Sequence, residues 1–182
     1  MNTPWSRLVF LIFLVFCRAN GDDEIERRSL KGITAVSVLV ERLQENIAAD
    51  GLAEELIKMD AELKLRLVGL KVFDRNEIGI PYLTVAVNSH FAPIVRLYAF
   101  SIHVTLNQNV RLVRDPSVMA PGVATWTSAM VGTVGNGSVR ELRETIKDHV
   151  DIFINAYLSV NPKKLRRQTP VECANPLNPI VV

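Results

Sequence analysis

The spacing of hydrophobic positions changes along the chain, and each change marks an element. Residues 8–16 are apolar without a break, from Leu8 to Phe16. Across residues 33–40 the apolar side chains fall at period two, with Val36, Val38 and Val40 on one face. β-Branched residues dominate there, so the pattern predicts a strand. Residues 46–51 are predicted as a loop. From 52 to 68 the period lengthens, and Leu52, Leu56, Met59, Leu63 and Leu67 recur at helical spacing as the face the helix is expected to bury. Asp50 is placed as its N-cap, Glu54 and Glu55 lie in the first turn, and Lys64 and Arg66 lie in the last. Gly69 follows as the left-handed C-terminal residue, so capping and the macrodipole agree.

Period two then returns. Residues 70–73 predict a short strand, 74–81 a loop, and 82–88 a strand in which Leu83, Val85 and Val87 form the single apolar face. A longer strand is predicted over 94–107, where Tyr98, Phe100, Ile102, Val104 and Leu106 alternate with Ala99, Ser101, His103 and Thr105. Asn107-Gln108-Asn109 is expected to bend or interrupt it before a separate strand at 110–113. Asp115-Pro116 and Pro121-Gly122 punctuate the next loop, and 123–131 is a further strand holding Trp126. Gly132 to Gly137 is expected as a turn using glycine for positive φ. Ser138-Val-Arg-Glu141 has the form of a capping box opening the last helix, whose stripe is Val139, Leu142, Ile146, Val150, Phe153, Tyr157 and Leu158. Asn161-Pro162 ends it.

Strand, helix, then several antiparallel strands and a closing helix predict an α+β fold. The expected form is a two-layer sandwich, a mostly antiparallel sheet with two main helices packed on one face. The expected organisation is a signal peptide at 1–21, a polar linker at 22–31, a single α+β domain at 32–162, and a flexible Pro-rich basic tail at 163–182.

Composition bears mainly on location. A basic start at Arg7, a short apolar core, a small-residue exit (Cys17-Arg18-Ala19-Asn20-Gly21) and the acidic Asp22-Asp23-Glu24 have the layout of a secretory signal peptide. The apolar run is about half of the ~20 residues a membrane span needs. Cleavage after Ala19 or Gly21 is therefore expected, giving a periplasmic or extracellular protein with no stable transmembrane span; retention as an N-terminal anchor is the alternative. Lipidation of Cys17 is disfavoured by the bulky Phe16 before it. The chain has 21 Lys and Arg against 19 Asp and Glu, and losing residues 1–21 removes Arg7 and Arg18, leaving the charges balanced. A neutral domain has no global field to attract nucleic acid. Cys17 and Cys173 are the two cysteines, too few for a disulfide scaffold or a cysteine-built zinc site.

Candidate chemistry is sparse. His90, His103 and His149 have no metal-ligand spacing; His103 is expected on the solvent face of its strand, and His149, beside Asp148 and Asp151, on a solvated helix face. The glycines of Gly132-Thr-Val-Gly135-Asn-Gly137 do not follow a dinucleotide or P-loop spacing. Asn136-Gly-Ser138 has the form of a glycosylation sequon, and Lys163-Lys-Leu-Arg-Arg167 is the sole basic run. Trp126, Tyr98 and Tyr82 are expected as core more than as a binding patch. No catalytic, cofactor-binding or metal-binding residue is assigned.

Thr125-Trp126, the Gly132/Gly135 turn and Phe153-Ile-Asn-Ala-Tyr-Leu158 before Asn161-Pro162 resemble a group of uncharacterised exported bacterial proteins, a likeness that implies no known activity. The element order is similar to small periplasmic domains such as the N-terminal domain of TolB, in architecture only. The resulting expectation is an exported, non-enzymatic domain binding an envelope protein or polymer, its oligomeric state open. The alternative is a small hydrolase or transferase with a site near the Gly132–Ser138 turn and His149.

Overall fold

The computed structural model describes residues 18–20, 23–74 and 79–162. The expectations for the apolar run 8–16, for Cys17, and for the tail at 163–182 with Cys173 lie outside those residues. The elements in order are β1 (Arg18–Asn20), α1 (Glu24–Ser29), β2 (Ala35–Val40), α2 (Glu45–Ala49), α3 (Glu54–Leu67), β3 (Lys71–Phe73), β4 (Tyr82–Ala92), β5 (Leu97–Leu112), β6 (Asp115–Gly135), a 3-10 turn (Asn136–Glu141) and α4 (Leu142–Val160). The strands form one sheet in the order β1-β6-β5-β4-β2-β3. β2 runs parallel to β3 and β4, and every other pairing is antiparallel. The fold is α+β, with a mostly antiparallel sheet, as the sequence predicts.

Register explains where the core sits. Val38, Leu83, Leu106 and Trp126 form one row across four strands, and Val40, Val85, Val104 and Ser128 form the next. In a pleated sheet such rows share a face, and α3 and α4 lie on it: Ile57, Ala61 and Leu65 from one helix and Ile146, Val150 and Phe153 from the other are buried with these rows. Trp126 meets Phe153 edge-on at 5.1 Å between ring centroids. The alternate rows, Leu39-Thr84-Thr105-Thr127 and Ala86-His103-Ala129, face the other way. Thr84 and Ala86 are buried there as well, so β4 is enclosed on both faces rather than having a single apolar one. Small side chains flanked by two strands are covered by their neighbours, and the Thr84 hydroxyl accepts from Asn107 Nδ2 at 2.9 Å.

Several local expectations change. Within the expected linker 22–31, Glu24–Ser29 is a helix, with Asp23 accepting from the Ile25 amide and Leu30 fully buried behind it. Residues 46–51 are not all loop, because Ile47 is buried and holds the short α2 in place. Asp50 does not cap α3, whose N-cap is Ala53 with no side-chain bond; the Asp50 carboxylate accepts from the Tyr98 hydroxyl instead. Gly69 has φ +93 and ends α3 as expected.

The largest change concerns the β5–β6 hairpin. Asn107–Asn109 does not break the first strand, and Pro116 and Pro121 do not make a loop: β5 continues to Leu112 and β6 runs back from Asp115. Register shifts between Leu106 and Asn107, Gln108 and Val110, and Arg111 and Leu112 absorb the irregular residues as bulges. β6 has β5 on one side and β1 on the other only at Ser128–Met130, so around Pro116 and Pro121 it is an edge strand and tolerates prolines that lack a donor. Gly132 and Gly135 likewise belong to β6, and neither they nor Gly137 has positive φ. Gly132 is needed for room, since a Cβ there would lie 2.9 Å from Phe100 Cζ on the paired strand. The Ser138 capping box does not form either, because residues 136–141 tighten into a 3-10 turn without a side-chain cap.

Candidate functional site

The structure places the histidines differently from one another. His103 sits in the outer row beside Ala86 and Ala129, on the face opposite Phe100, Ile102 and Val104, as expected. His90 is exposed near the end of β4. His149 is not on a solvated face. It is 3% exposed, and its Nδ1 lies 2.7 Å from the Oγ of the fully buried Ser128. The signal was present in the sequence: His149 lies three residues after Ile146 and four before Phe153, inside the apolar stripe of α4.

A serine hydroxyl against a histidine nitrogen has the form of an activated nucleophile. Here both partners are buried, on the strand that carries Trp126 and the helix that carries Phe153, two fully buried members of the core. A nucleophile must meet a substrate, so the pair is a polar tie between β6 and α4. The Gly132–Ser138 segment continues from β6 into the 3-10 turn, and its Asn136 amide donates to the Arg96 carbonyl. It does not share a surface with the buried His149 ring. Tyr98 and Trp126 are core, with Tyr98 packed on Phe91 at 4.7 Å and bonded to Asp50 at 2.7 Å. Burial, reinforced by the Asp50 hydrogen bond, pushes the Tyr98 phenol up to about 12, so it holds its proton at neutral pH.

Open clefts lie among the described residues. One, of about 360 Å³, is bordered by Lys31, Thr34, Ile80, Pro81 and Gln108. Its Gln108 amide already donates to the Ser29 carbonyl and the Thr125 hydroxyl, leaving no acid–base pair. Another, about 180 Å³, runs beside Val38–Val40 and is walled by Glu54, Glu55 and Lys58. Glu54 is engaged there as acceptor for the Leu43 amide at 2.6 Å. No group of three or more His, Cys, Asp or Glu able to hold a metal occurs among the described residues. Nor is any helix among them long and apolar enough to cross a membrane.

The surfaces that stand out are a sheet edge and a helix face. At the edge of β6, the Thr127 amide points outward and donates to Glu26 of α1 at 3.3 Å, while the Thr125 carbonyl accepts from Ser29 Oγ at 3.0 Å. α1 therefore satisfies this stretch of edge by side chains rather than by a strand. The next stretch, Ser128–Met130, is filled by Arg18–Asn20, which pairs with it antiparallel. Alternation along a strand turns the Ala129 amide and carbonyl to the same side as those of Thr127, toward Ala19.

The helix face belongs to α3. Of the expected core stripe, Leu52, just ahead of the helix, is buried, but Leu56, Met59, Leu63 and Leu67 point outward, with exposures of 39, 61, 55 and 72%. The buried stripe is the smaller one of Ile57, Ala61 and Leu65. Charges on the intervening flank fit this orientation: Asp60 receives two bonds from Arg143, at 2.6 and 2.9 Å, and Lys64 donates to Asp151 at 2.6 Å. Those contacts orient α3 toward α4 and put Ala61, the small residue, where the helix meets the layer beneath. The Arg143 hydrogen bond holds the Asp60 carboxyl below the usual carboxylate range.

No family model matches the chain. No curated protein matches it either. Among solved structures, a point variant of PelC from Paraburkholderia phytofirmans, described as a dodecamer, is 13% identical; the match covers 78% of this chain and 95% of that one, with a TM-score of 0.39. A second crystal form of PelC gives the same identity and score over 75% of this chain. A minor lipoprotein from Acinetobacter baumannii is 9% identical over 72% of this chain and 90% of its own, with a TM-score of 0.27. Likenesses this distant carry no argument about what the chain does, and these structures do not bear on the expected similarity to the TolB domain.

Proposed function

We propose that this chain is an exported, non-enzymatic binding domain of the cell envelope, which holds its partner by accepting an extended strand on the β6 edge. The observation that carries the reading is the antiparallel pairing of Arg18–Asn20 with Ser128–Met130. Those three residues fall where the signal peptide is expected to end. Cleavage after Ala19 removes two of them, and cleavage after Gly21 removes all three. Either cut leaves the outward amide and carbonyl of Ala129 without their strand, next to a stretch of edge that α1 keeps closed. Main-chain hydrogen bonds then supply affinity, and the side chains beside the slot supply selection. An edge left open in this way is also an aggregation hazard, which favours a dedicated occupant.

The buried Ser128–His149 pair gives the enzymatic alternative no support. The test is a photocrosslinking residue at Val131, exposed at the end of the slot, in cells that export the protein. A covalent adduct with an envelope component, absent when the crosslinker replaces Val113 at the distant hairpin tip, is the expected result. Failure to capture any partner at Val131 would sink the reading, as would N-terminal sequencing that finds Arg18–Asn20 still present in the exported protein.

A further inference from the structure

The outward face of α3 has a symmetry that the sheet-edge reading does not use. Leu56, Met59, Leu63 and Leu67 run along a 14-residue helix, about 20 Å long at 1.5 Å per residue. They lie opposite the buried Ile57, Ala61 and Leu65, so this helix is apolar on two sides. Contiguous exposed apolar surface on a small domain marks a contact site more often than chance. The positions of the four side chains are themselves informative. Around a centre at Ala61, Met59 mirrors Leu63, and Leu56 mirrors Leu67 to within one residue.

The charges follow the same mirror. Glu54 and Glu55 occupy the first turn, and Lys64 and Arg66 occupy the last. Lys64 is committed to Asp151 of α4 and Glu54 to the Leu43 amide. Arg66 donates to Glu62 one turn back at 2.9 Å and lies 3.7 Å from Asp74, so a carboxylate from a second copy joins a guanidinium that already serves its own helix. Glu55 and Arg66 are both exposed. Helical geometry puts them on the same flank of the stripe, about 20° apart around the axis at 100° per residue. Two copies of α3 packed antiparallel on this face, about a two-fold axis at the level of residue 61, place Met59 on Leu63 of the second copy and Leu56 against Leu67. The same operation sets Glu55 beside Arg66 of the second copy, twice. A parallel pair would put Glu55 and Arg66 of the two copies on opposite sides of the seam, without these contacts and with the helix dipoles aligned.

From this self-complementarity we infer that the occupant of the α3 face is a second copy of this chain, joined antiparallel in an isologous dimer. Self-complementarity of one patch is what a two-fold interface requires. Four side chains per protomer bury well below the ~800 Å² per partner of a standard interface, so the dimer is a reversible one, with Kd in the range of about 10–100 µM. The inference is independent of the β6 edge, because the two surfaces share no residue.

Sedimentation equilibrium of the exported protein over about 1–500 µM reads the association directly. Wild type is expected to pass from monomer to dimer within that range. Leu63→Glu, at an exposed position, is expected to leave a folded monomer throughout by placing a charge in the apolar contact. Glu55→Arg alone and Arg66→Glu alone are each expected to weaken the dimer by about three- to tenfold, since each opposes like charges at both symmetric contacts. Mixing those two variants is the decisive arm. One protomer then carries arginine at both positions and the other glutamate at both, so the mixed dimer is expected to recover wild-type affinity. A wild type that stays monomeric to the top of the range overturns the inference. So does a dimer indifferent to Leu63→Glu, or a mixture no stronger than its separate components. The Val131 crosslink is unaffected by any of these outcomes, so failure here is separable from failure of the sheet-edge reading.

Discussion

The two long helices differ in how many of their faces are apolar. α4 has one stripe, and Leu142, Ile146, Val150 and Phe153 along it are at most 3% exposed. α3 has two, and the fold buries the smaller. Hydrophobic periodicity locates an amphipathic helix in both cases, but it names the buried face only where one stripe has no rival. In α3 the decision is tertiary. Asp60 and Lys64 find Arg143 and Asp151 on α4, and that orientation commits Ile57, Ala61 and Leu65 to the core. The apolar stripe left outside then needs a separate explanation, which the self-pairing of α3 supplies.

The comparison breaks most sharply by cutting the same side chain on each side of α3. Leu65→Ala removes a fully buried leucine and is expected to cost about 2–5 kcal/mol, the range for a core cavity. Leu63→Ala, two residues earlier and more than half exposed, is expected to stay within about 0.5 kcal/mol. Urea unfolding of both variants at a concentration where the protein is monomeric checks the pair. A Leu63→Ala loss as large as that of Leu65→Ala would mean that α3 is turned the other way.

A smaller effect sharpens the reason for the choice. Ala61 is 1% exposed where α3 meets the layer beneath it. Ala61→Leu makes this stripe more hydrophobic, so periodicity alone predicts a gain. Close packing predicts a loss of about 1–3 kcal/mol, because the added methylenes have no space. The sign of the change in the unfolding midpoint decides between the two.

Most of the architecture is legible in the chain. Period-two runs give β2, β4, β5 and the Trp126 part of β6, and capping chemistry gives the end of α3 at Gly69. What escapes is of two kinds. Pro116, Pro121 and Asn107–Asn109 carry turn signals that win in short peptides, but here cross-strand pairing absorbs them as bulges in an edge ribbon. Ser128 and His149 escape because polar residues are assigned to solvent by default, whereas each satisfies the other inside the core. His149 was recoverable from its spacing to Ile146 and Phe153; Ser128 was recoverable from its place two residues after Trp126, on the same strand face. Neither Glu26 closing the β6 edge nor the contacts from α4 that orient α3 leaves a local signature, since both join residues more than eighty positions apart.

The Ser128–His149 tie gives the next effect in size, and it belongs to α4 alone. Ser128→Ala removes the hydrogen bond to the His149 Nδ1 inside the core, with an expected loss of about 0.5–1.5 kcal/mol, the net worth of one such bond. Chemical denaturation measures it. A neutral result would mean that water or a neighbour replaces the hydroxyl, and the pair would then not be what fixes β6 on α4.

The smallest effect concerns the link between the two helices. The Arg143 hydrogen bond holds the Asp60 carboxyl below the usual range against the opposing effect of burial, with smaller help from the charges of Arg143, Lys147 and Lys64. A carboxyl with a lowered folded pKa contributes stability that is fully present above its unfolded value of about 3.9 and is lost as pH falls through the folded value. Asp60→Asn removes that contribution. The stability gap between wild type and variant should therefore be constant from neutral pH down to about pH 5 and close at lower pH, where the wild-type carboxyl also takes up its proton. With the Arg143 side chain a third exposed, solvent screens the pair and the gap is small at every pH. A gap that holds unchanged to the acid end would mean that Asp60 keeps α3 on α4 by packing and geometry rather than by its charge. The orientation of the two apolar stripes would then rest on the buried Ile57, Ala61 and Leu65 and on the Lys64–Asp151 contact.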